Sequence, residues 1–128
     1  MLKFFWLSNK IKRLSVMIGI LSLVIAFKAK AGEAGDPLLG NLKAWLCIKH
    51  YESDCCGGWK TNTGNGYYGG LQMDSDFMHT YGKDMIAKYG GYAFRWNARD
   101  QVIVAQRAYA SGRGYYPWPV TARICGLI

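Results

Sequence analysis

Acidic residues are scarce in this sequence, and the shortage is uneven. The chain of 128 residues has sixteen Lys and Arg against eight Asp and Glu, which gives a formal charge of +8. Residues 1–31 contain six of the basic residues and no acidic one, so residues 32–128 carry only +2. That part also lacks a run of Lys or Arg that could follow a phosphate backbone. The sequence therefore predicts no nucleic-acid partner, and the small surplus is compatible with an anionic surface.

A hydrophobic run long enough to cross a membrane is also missing. The main apolar stretch, residues 14–27, is shorter than the roughly 20 residues that a spanning helix needs. It follows a basic head and precedes Ala29-Lys30-Ala31, the small-x-small pattern of a cleavage site. We therefore predict that residues 1–31 are a signal peptide with only transient membrane contact, and that the mature protein is secreted. A retained membrane anchor is the alternative.

Cysteine is limited to four residues, Cys47, Cys55, Cys56 and Cys125, all after the predicted cleavage site. Export permits their oxidation, and four cysteines allow three pairings between which the residues alone do not choose. A bridge between Cys47 and Cys125 would close a loop of nearly eighty residues. By the loop-entropy relation it would contribute about 4 to 5 kcal/mol, which matters in a chain this small.

The first helix is predicted after a flexible lead-in at residues 32–40. Asn41 can cap it, and it should continue to about Glu52. Glycines between positions 57 and 70 then exclude a long helix and favour turns or a short hairpin. The helical three- and four-residue steps are carried by Leu42, Trp45, Leu46 and Lys49.

Three further helices are predicted at residues 74–81, 83–89 and 97–111, and Gly112 should end the last of them. Pro117 and Pro119 then predict an irregular tail that brings Cys125 back to the body. The sequence shows neither internal repeats nor low-complexity tracts. We therefore predict an α+β, mainly α domain over residues 41–128, with the glycine-rich loop or hairpin after its first helix.

Glu52 falls where the first helix is predicted to end, a position from which a side chain can face a cleft. A glutamate can protonate a glycosidic oxygen if apolar or aromatic walls keep its own proton in place. Trp45, Tyr51 and Trp59 are close in sequence and suit such an environment. Taken alone this is a weak signal, because a glutamate at a helix end is usually a solvated surface residue.

A longer motif gives Glu52 its context. Tyr51-Glu52-Ser53, then Trp59, then NTGNGYYGGLQM at residues 62–73 resemble the transglycosylase-like domain of the resuscitation-promoting factors of actinobacteria. The resemblance extends to Trp118-Pro119 and spans roughly residues 41–127. It implies a small lysozyme-like domain that acts on peptidoglycan. Shorter segments resemble the wider lytic transglycosylase pattern: Glu52-Ser53, Gly70-Leu71-Gln72 and Ala108-Tyr109.

The resemblance also implies roles for individual residues. Glu52 would be the general acid and then the base, while Thr63 and Gln72 would bind sugar hydroxyl or acetamido groups. Tyr109 would lie across the cleft, although Thr63 as a turn residue and Tyr109 as a core residue are the alternatives. Among the other aromatic residues we expect Trp59 and Tyr67 to lie in the cleft.

The resemblance further implies that Cys47 pairs with Cys125. Cys55 and Cys56 lie in an insert, residues 54–58, that departs from the family pattern, and they would be free or joined to each other. The cysteines and His50 cluster enough to suggest a metal site, but their spacing fits no common zinc signature. We therefore predict neither metal nor cofactor.

A second catalytic carboxylate does not stand out. Asp54 is too close to Glu52 along the chain, and Asp74 and Asp76 are typical of a helix start. The missing nucleophile is consistent with attack by the muramyl hydroxyl itself, which gives an anhydro sugar. Water-mediated hydrolysis is the other route.

The functional prediction is an exported, wall-associated, monomeric glycosidase. It would cut peptidoglycan glycan strands between N-acetylmuramic acid and N-acetylglucosamine, with Glu52 as the acid. The alternative is a catalytically inactive, secreted wall-glycan-binding module that uses the same groove.

Overall fold

A computed structural model describes residues 36–128 of the chain. The predicted signal peptide and residues 32–35 of the predicted lead-in lie outside the described residues. Within the described part, no helix has the length and apolar character needed to cross a membrane. The elements in chain order are α1 (Leu42–Ser53), β1 (Tyr67–Tyr68), β2 (Met73–Asp74), α2 (Ser75–Tyr81), α3 (Lys83–Tyr89), α4 (Ala98–Ala108) and α5 (Pro119–Ile124). The predicted α+β, mainly α class is therefore confirmed.

Helix α1 begins as the sequence predicts and buries fewer residues than its pattern suggests. The side chain of Asn41 accepts a hydrogen bond from the Ala44 amide and caps the helix. Trp45 and Ile48 are fully buried, whereas Leu42 and Leu46 are exposed. The inward face of α1 is therefore narrow, and the apolar residues on its outer face do not contribute to the core.

All five helices contribute buried residues to the core. Val104 and Ala105 of α4 are fully buried, as are the side chains of Trp45 and Trp96. Trp118, which immediately precedes α5, packs edge-on against Trp45 with 5.3 Å between ring centroids. These indole rings are a large part of the core, because each buried aromatic side chain removes a large apolar area from water.

The glycine-rich segment forms a short hairpin, one of the two forms that the sequence predicts. Strands β1 and β2 pair antiparallel, with Tyr67 opposite Asp74 and Tyr68 opposite Met73. Two short 3-10 turns, Asp54–Cys56 and Gly58–Lys60, connect α1 to this segment. The hairpin is short, but its segment contributes Leu71 and Met73 to the core.

The C-terminal part differs from the prediction in two ways. The α-helical conformation of α4 ends at Ala108 and continues as a π-helical turn, Tyr109–Arg113, which contains Gly112 at φ +98°. The predicted irregular tail is wrong, because residues Pro119–Ile124 form helix α5. Proline breaks a helix interior but suits its first position, where the missing N–H has no intrahelical partner.

Two disulfides complete the domain. One joins Cys47 on α1 to Cys125 at the end of α5, and the other joins the neighbours Cys55 and Cys56. The first bridge ties together helices that are separated by most of the described chain. The second closes no loop and lies in the exposed turn that follows α1.

Candidate functional site

Glu52 lies in the last turn of α1 and is half-buried. Its Oε1 atom accepts a hydrogen bond of 2.8 Å from the hydroxyl of Thr121 on α5. Within residues 36–128, its other oxygen, Oε2, has no hydrogen-bond or ion-pair partner. One carboxyl oxygen is thus fixed by the protein, and the other is available to a ligand.

The residue after Glu52 connects it to the glycine-rich segment. Ser53 is fully buried, and its hydroxyl donates to the carbonyl of Gly70 at 2.8 Å. The Trp118 indole N–H donates to the carbonyl of Leu71 at 2.6 Å. The backbone at Gly70 and Leu71 is therefore fastened to the end of α1 and to the start of α5, beside Glu52.

Gln101 on α4 also holds the backbone at Gly70. Its side chain is fully buried, and its Oε1 accepts from the Gly70 amide at 2.8 Å. Its Nε2 donates to the carbonyls of Trp59 and Ala93 at 2.9 and 2.8 Å. The sequence analysis did not predict a role for Gln101. The available signal was its position directly before the apolar residues 102–105, which indicates a polar side chain at a buried stretch of helix.

Gly70 allows two segments to approach more closely than a side chain would permit. A Cβ atom at Gly70 would lie 2.3 Å from the ring of Trp59. The half-buried Trp59 ring therefore packs directly on the backbone that Ser53 and Gln101 hold. In this position Trp59 supports the loop, and its role as a sugar-stacking residue stays a prediction.

Gln72 and Tyr67 line a cavity of about 220 Å³ next to this framework. Gln72 has a left-handed backbone at φ +49°, the one non-glycine residue with positive φ in the described part of the chain. Its Nε2 donates to the Gly69 carbonyl at 2.9 Å, which holds the side chain over the turn. A bulky residue in this conformation is uncommon and marks a position held by its surroundings.

The cavity also includes Trp118, Asp76 and Arg113, but Glu52 is not among its lining residues. Trp118 nevertheless connects the cavity to Glu52. It lines the cavity and immediately precedes helix α5, which carries the Thr121 hydroxyl that bonds Glu52. A residue of the cavity lining and the hydrogen-bond partner of Glu52 therefore belong to the same short stretch of chain, residues 118–121. A larger cavity, of about 480 Å³, lies around Leu38 and Arg99 and contains none of the predicted site residues.

Thr63 and Tyr109 lie outside the cavity. Thr63 is exposed in the loop before the hairpin. Tyr109 begins the π-helical turn, is 39% exposed, and packs its ring against Tyr115 at 4.7 Å and edge-on to Trp45 at 6.3 Å. The structure thus brings Gln72 and Tyr67 together and leaves Thr63 and Tyr109 at separate positions.

Asp54, the carboxylate nearest to Glu52 in sequence, is engaged elsewhere. It forms ion pairs with Lys49 and with His50, the latter at 2.7 Å. Hydrogen bonds from Lys49 and then from His50 hold the pKa of the Asp54 carboxyl below its usual range. Among the described residues, no group of three or more His, Cys, Asp and Glu side chains is arranged to hold a metal ion.

Comparison with known proteins yields one family. Residues 41–121 match the family described as the transglycosylase-like domain. The chain is 31% identical over 119 residues to resuscitation-promoting factor Rpf1 of Corynebacterium glutamicum, covering 93% of this chain and 54% of that protein. It is 32% identical over 115 residues to resuscitation-promoting factor RpfA of Mycobacterium tuberculosis, covering 89% of this chain and 25% of that protein.

A third relative, resuscitation-promoting factor RpfE of Mycobacterium tuberculosis, is 35% identical over 79 residues, which are 62% of this chain and 41% of that protein. The chain thus spans about half or less of the length of these curated relatives. The matched residues 41–121 contain Glu52, the glycine-rich segment with Gln72, and Thr121. The chain therefore belongs to the transglycosylase-like domain family of the resuscitation-promoting factors.

Proposed function

We propose that this protein is a peptidoglycan-cleaving glycosidase that cuts between N-acetylmuramic acid and N-acetylglucosamine, with Glu52 as its general acid. Family membership supports the class of reaction. The observation that carries the assignment to Glu52 is its geometry, with Oε1 bonded to Thr121 at 2.8 Å and Oε2 without a partner among the described residues. Such a carboxyl group can present one oxygen to a substrate while the other keeps it oriented.

The reaction begins with transfer of the Glu52 proton from Oε2 to the bridging glycosidic oxygen. The bond between that oxygen and the muramic acid C1 atom breaks, glucosamine leaves, and positive charge develops at C1. Glu52, now a carboxylate, then accepts a proton from the group that attacks C1. That group is either a water molecule, which gives a reducing end, or the muramyl hydroxyl, which gives an anhydro end.

The carboxylates near Glu52 support a reaction without a protein nucleophile. Asp54 is paired with Lys49 and His50. The side chain of Asp74 caps α2 by accepting from the Phe77 amide at 2.7 Å. Asp54 and Asp74 thus each have a structural task that would have to be given up before they could attack a sugar.

Sugar binding is assigned to the cavity beside the hairpin. The Gln72 amide and the exposed Tyr67 ring line it, which suits hydrogen bonding to an acetamido group and stacking on a sugar face. Thr63 and Tyr109 would contact the glycan outside this cavity, on either side of the cleft. Trp59 would contribute chiefly by supporting Gly70.

The location follows from the same chemistry. Both disulfides in the described residues suit an oxidising compartment, and the leader pattern of residues 1–31 suits export. We therefore infer a secreted, wall-associated monomer that works on glycan strands without a cofactor.

The experiment is a comparison of two neighbouring carboxylates. Purified Glu52→Gln should release soluble fragments from peptidoglycan at least about 100-fold more slowly than the unmodified protein, because general acid catalysis contributes that much or more. Asp54→Asn is the matched control and should retain nearly full activity. Equal rates for Glu52→Gln and the unmodified protein would contradict the proposal. Retention of an inactive unmodified protein on the wall would instead support the binding-module alternative.

A further inference from the structure

We propose that Thr121 is a positioning residue for Glu52, and that its hydroxyl directs the transferable proton to Oε2. The inference rests on the proposed function of Glu52 and names a residue that the motif resemblance does not include. The two residues are 69 positions apart in sequence and meet across the α1–α5 contact. Nothing in the local sequence around either residue predicts this hydrogen bond.

The Thr121 hydroxyl has one proton and two acceptors within reach. Its oxygen lies 2.8 Å from Glu52 Oε1 and 3.4 Å from the carbonyl oxygen of Trp118. The Trp118 carbonyl already accepts from the Ala122 amide at 2.8 Å. The shorter contact to an acceptor that has no other partner in the described residues therefore takes the proton, and Thr121 donates to Glu52.

Thr121 is held firmly enough to act as a fixed donor. Its side chain is 7% exposed, and its carbonyl accepts from the Cys125 amide at 2.9 Å in the last turn of α5. Cys125 is bonded to Cys47 on α1, five residues before Glu52. Because a β-branched side chain also has few rotamers, the hydroxyl is oriented before any substrate arrives.

A carboxylic acid has one oxygen that carries the proton and one that only accepts. Because Thr121 donates to Oε1, that oxygen is the acceptor, and the acid proton is directed to Oε2. Oε2 is the oxygen without a partner in the described residues, so it is the one able to meet the glycosidic oxygen. Once the proton has left, the same hydrogen bond becomes charge-assisted and stabilises the carboxylate.

Two substitutions separate this role from simple packing. Thr121→Val keeps the shape and removes the hydroxyl, while Thr121→Ser keeps the hydroxyl and removes a methyl group. We expect Thr121→Val to lower kcat by about 10- to 100-fold with little change in KM, since an acid without its partner is misaligned. We expect Thr121→Ser to retain kcat within about threefold. A residue that serves packing alone would give the reverse order, because valine preserves the buried volume better than serine.

A double variant distinguishes failure of this inference from failure of the proposed function. In a Glu52→Gln background, Thr121→Val should cause no further loss of activity, because both changes act through the same group. A wild-type rate for Glu52→Gln would overturn the proposed function itself. An inactive Glu52→Gln together with a fully active Thr121→Val would overturn only the role of Thr121, and so would a Thr121→Ser variant that loses as much kcat as Thr121→Val. Thermal unfolding of each variant shows whether a loss of activity reflects a loss of fold.

Discussion

Gln101 is the residue on which the loop beside Glu52 most depends. Its amide group bonds the Gly70 amide and the carbonyls of Trp59 and Ala93, all in a fully buried position. Removing a buried partner leaves each of these groups desolvated and unpaired, which costs about 1 to 3 kcal/mol per group. One side chain therefore fixes three separate segments of backbone.

We predict that Gln101→Leu lowers the free energy of unfolding by about 3 kcal/mol or more. Gln106→Leu is the matched control on the same helix, because Gln106 is only half-buried and makes a single side-chain bond, from the Trp45 indole at 3.1 Å. It should cost about 1 kcal/mol. Denaturant unfolding measures both. Equal losses in the two variants would show that the buried hydrogen bonds of Gln101 contribute no more to the free energy of unfolding than the single bond of Gln106.

At the residue scale, the sequence singles out Glu52, Gln72 and Tyr67 as candidate site residues but not Gln101 and Thr121, which hold the backbone and the carboxyl group in place. The first three residues lie in an unusual series of short motifs between positions 51 and 73, so a resemblance could suggest roles for them. Gln101 and Thr121 act through contacts across the fold, at distances along the chain that no local pattern encodes. A glutamine or threonine on a helix usually faces solvent, so the one sequence signal for either residue was the apolar stretch, residues 102–105, that follows Gln101.

At the element scale, three helix starts were readable because each has a capping side chain, whereas α3 begins after Gly82 without one. Asn41 caps α1, Asp74 caps α2 and Asn97 caps α4, each by accepting from an amide three residues later. Helix α5 was missed because its proline was interpreted as a breaker. The π-helical turn after α4 was missed because its residues continue a helical pattern, and only the geometry at Gly112 departs from it.

The 3-10 turn Gly58–Lys60 packs closely against the hairpin segment, because the Trp59 ring lies directly on Gly70. We predict that Gly70→Ala destabilises the domain and lowers activity, because the new Cβ would lie 2.3 Å from the Trp59 ring and force it to move. Gly91→Ala is the matched control, since its Cβ would meet mainly the flexible side chain of Arg95, at 2.8 Å. Unfolding and fragment-release assays should show a large effect for the first and a small one for the second. Comparable effects would mean that the Trp59–Gly70 contact can relax freely.

At the scale of the whole molecule, the two disulfides should differ sharply in what they contribute. The Cys47–Cys125 bridge spans 78 residues, whereas Cys55–Cys56 spans one. Replacing the first pair with serine should lower the free energy of unfolding by about 4 to 5 kcal/mol, and replacing the second should change it little, because only the first restricts the unfolded chain. Denaturant unfolding of the two double variants provides the comparison. A similar loss in both would contradict the loop-closure explanation.

Ion pairs distributed over the domain make its stability depend on pH. Burial alone would raise the pKa of the Asp100 carboxyl, but hydrogen bonds from Lys88 and Tyr89 outweigh this effect and lower it. The hydrogen bond from Arg107 likewise lowers the pKa of the Asp84 carboxyl. A carboxyl group whose pKa is lower in the folded state contributes stability above its unfolded pKa of about 3.9, and the contribution disappears as pH falls through the folded value.

We therefore predict that the free energy of unfolding declines below about pH 4. Asp100→Asn should start from a lower value at neutral pH and lose less on acidification, because it has one titrating group fewer. Urea midpoints at pH 7 and pH 3 test this. If acid destabilises the variant and the unmodified protein equally, Asp100 is not one of the groups responsible.

The mass of the fragments released from purified peptidoglycan decides whether Glu52 cleaves the glycan strand. We expect disaccharide-peptide units that end in muramic acid, either with a reducing end or lighter by one water as the anhydro form, and we expect Glu52→Gln to release none of them. Fragments with intact glycan strands and newly cut peptides would contradict the proposed function, as would the same sugar fragments released at the same rate by Glu52→Gln.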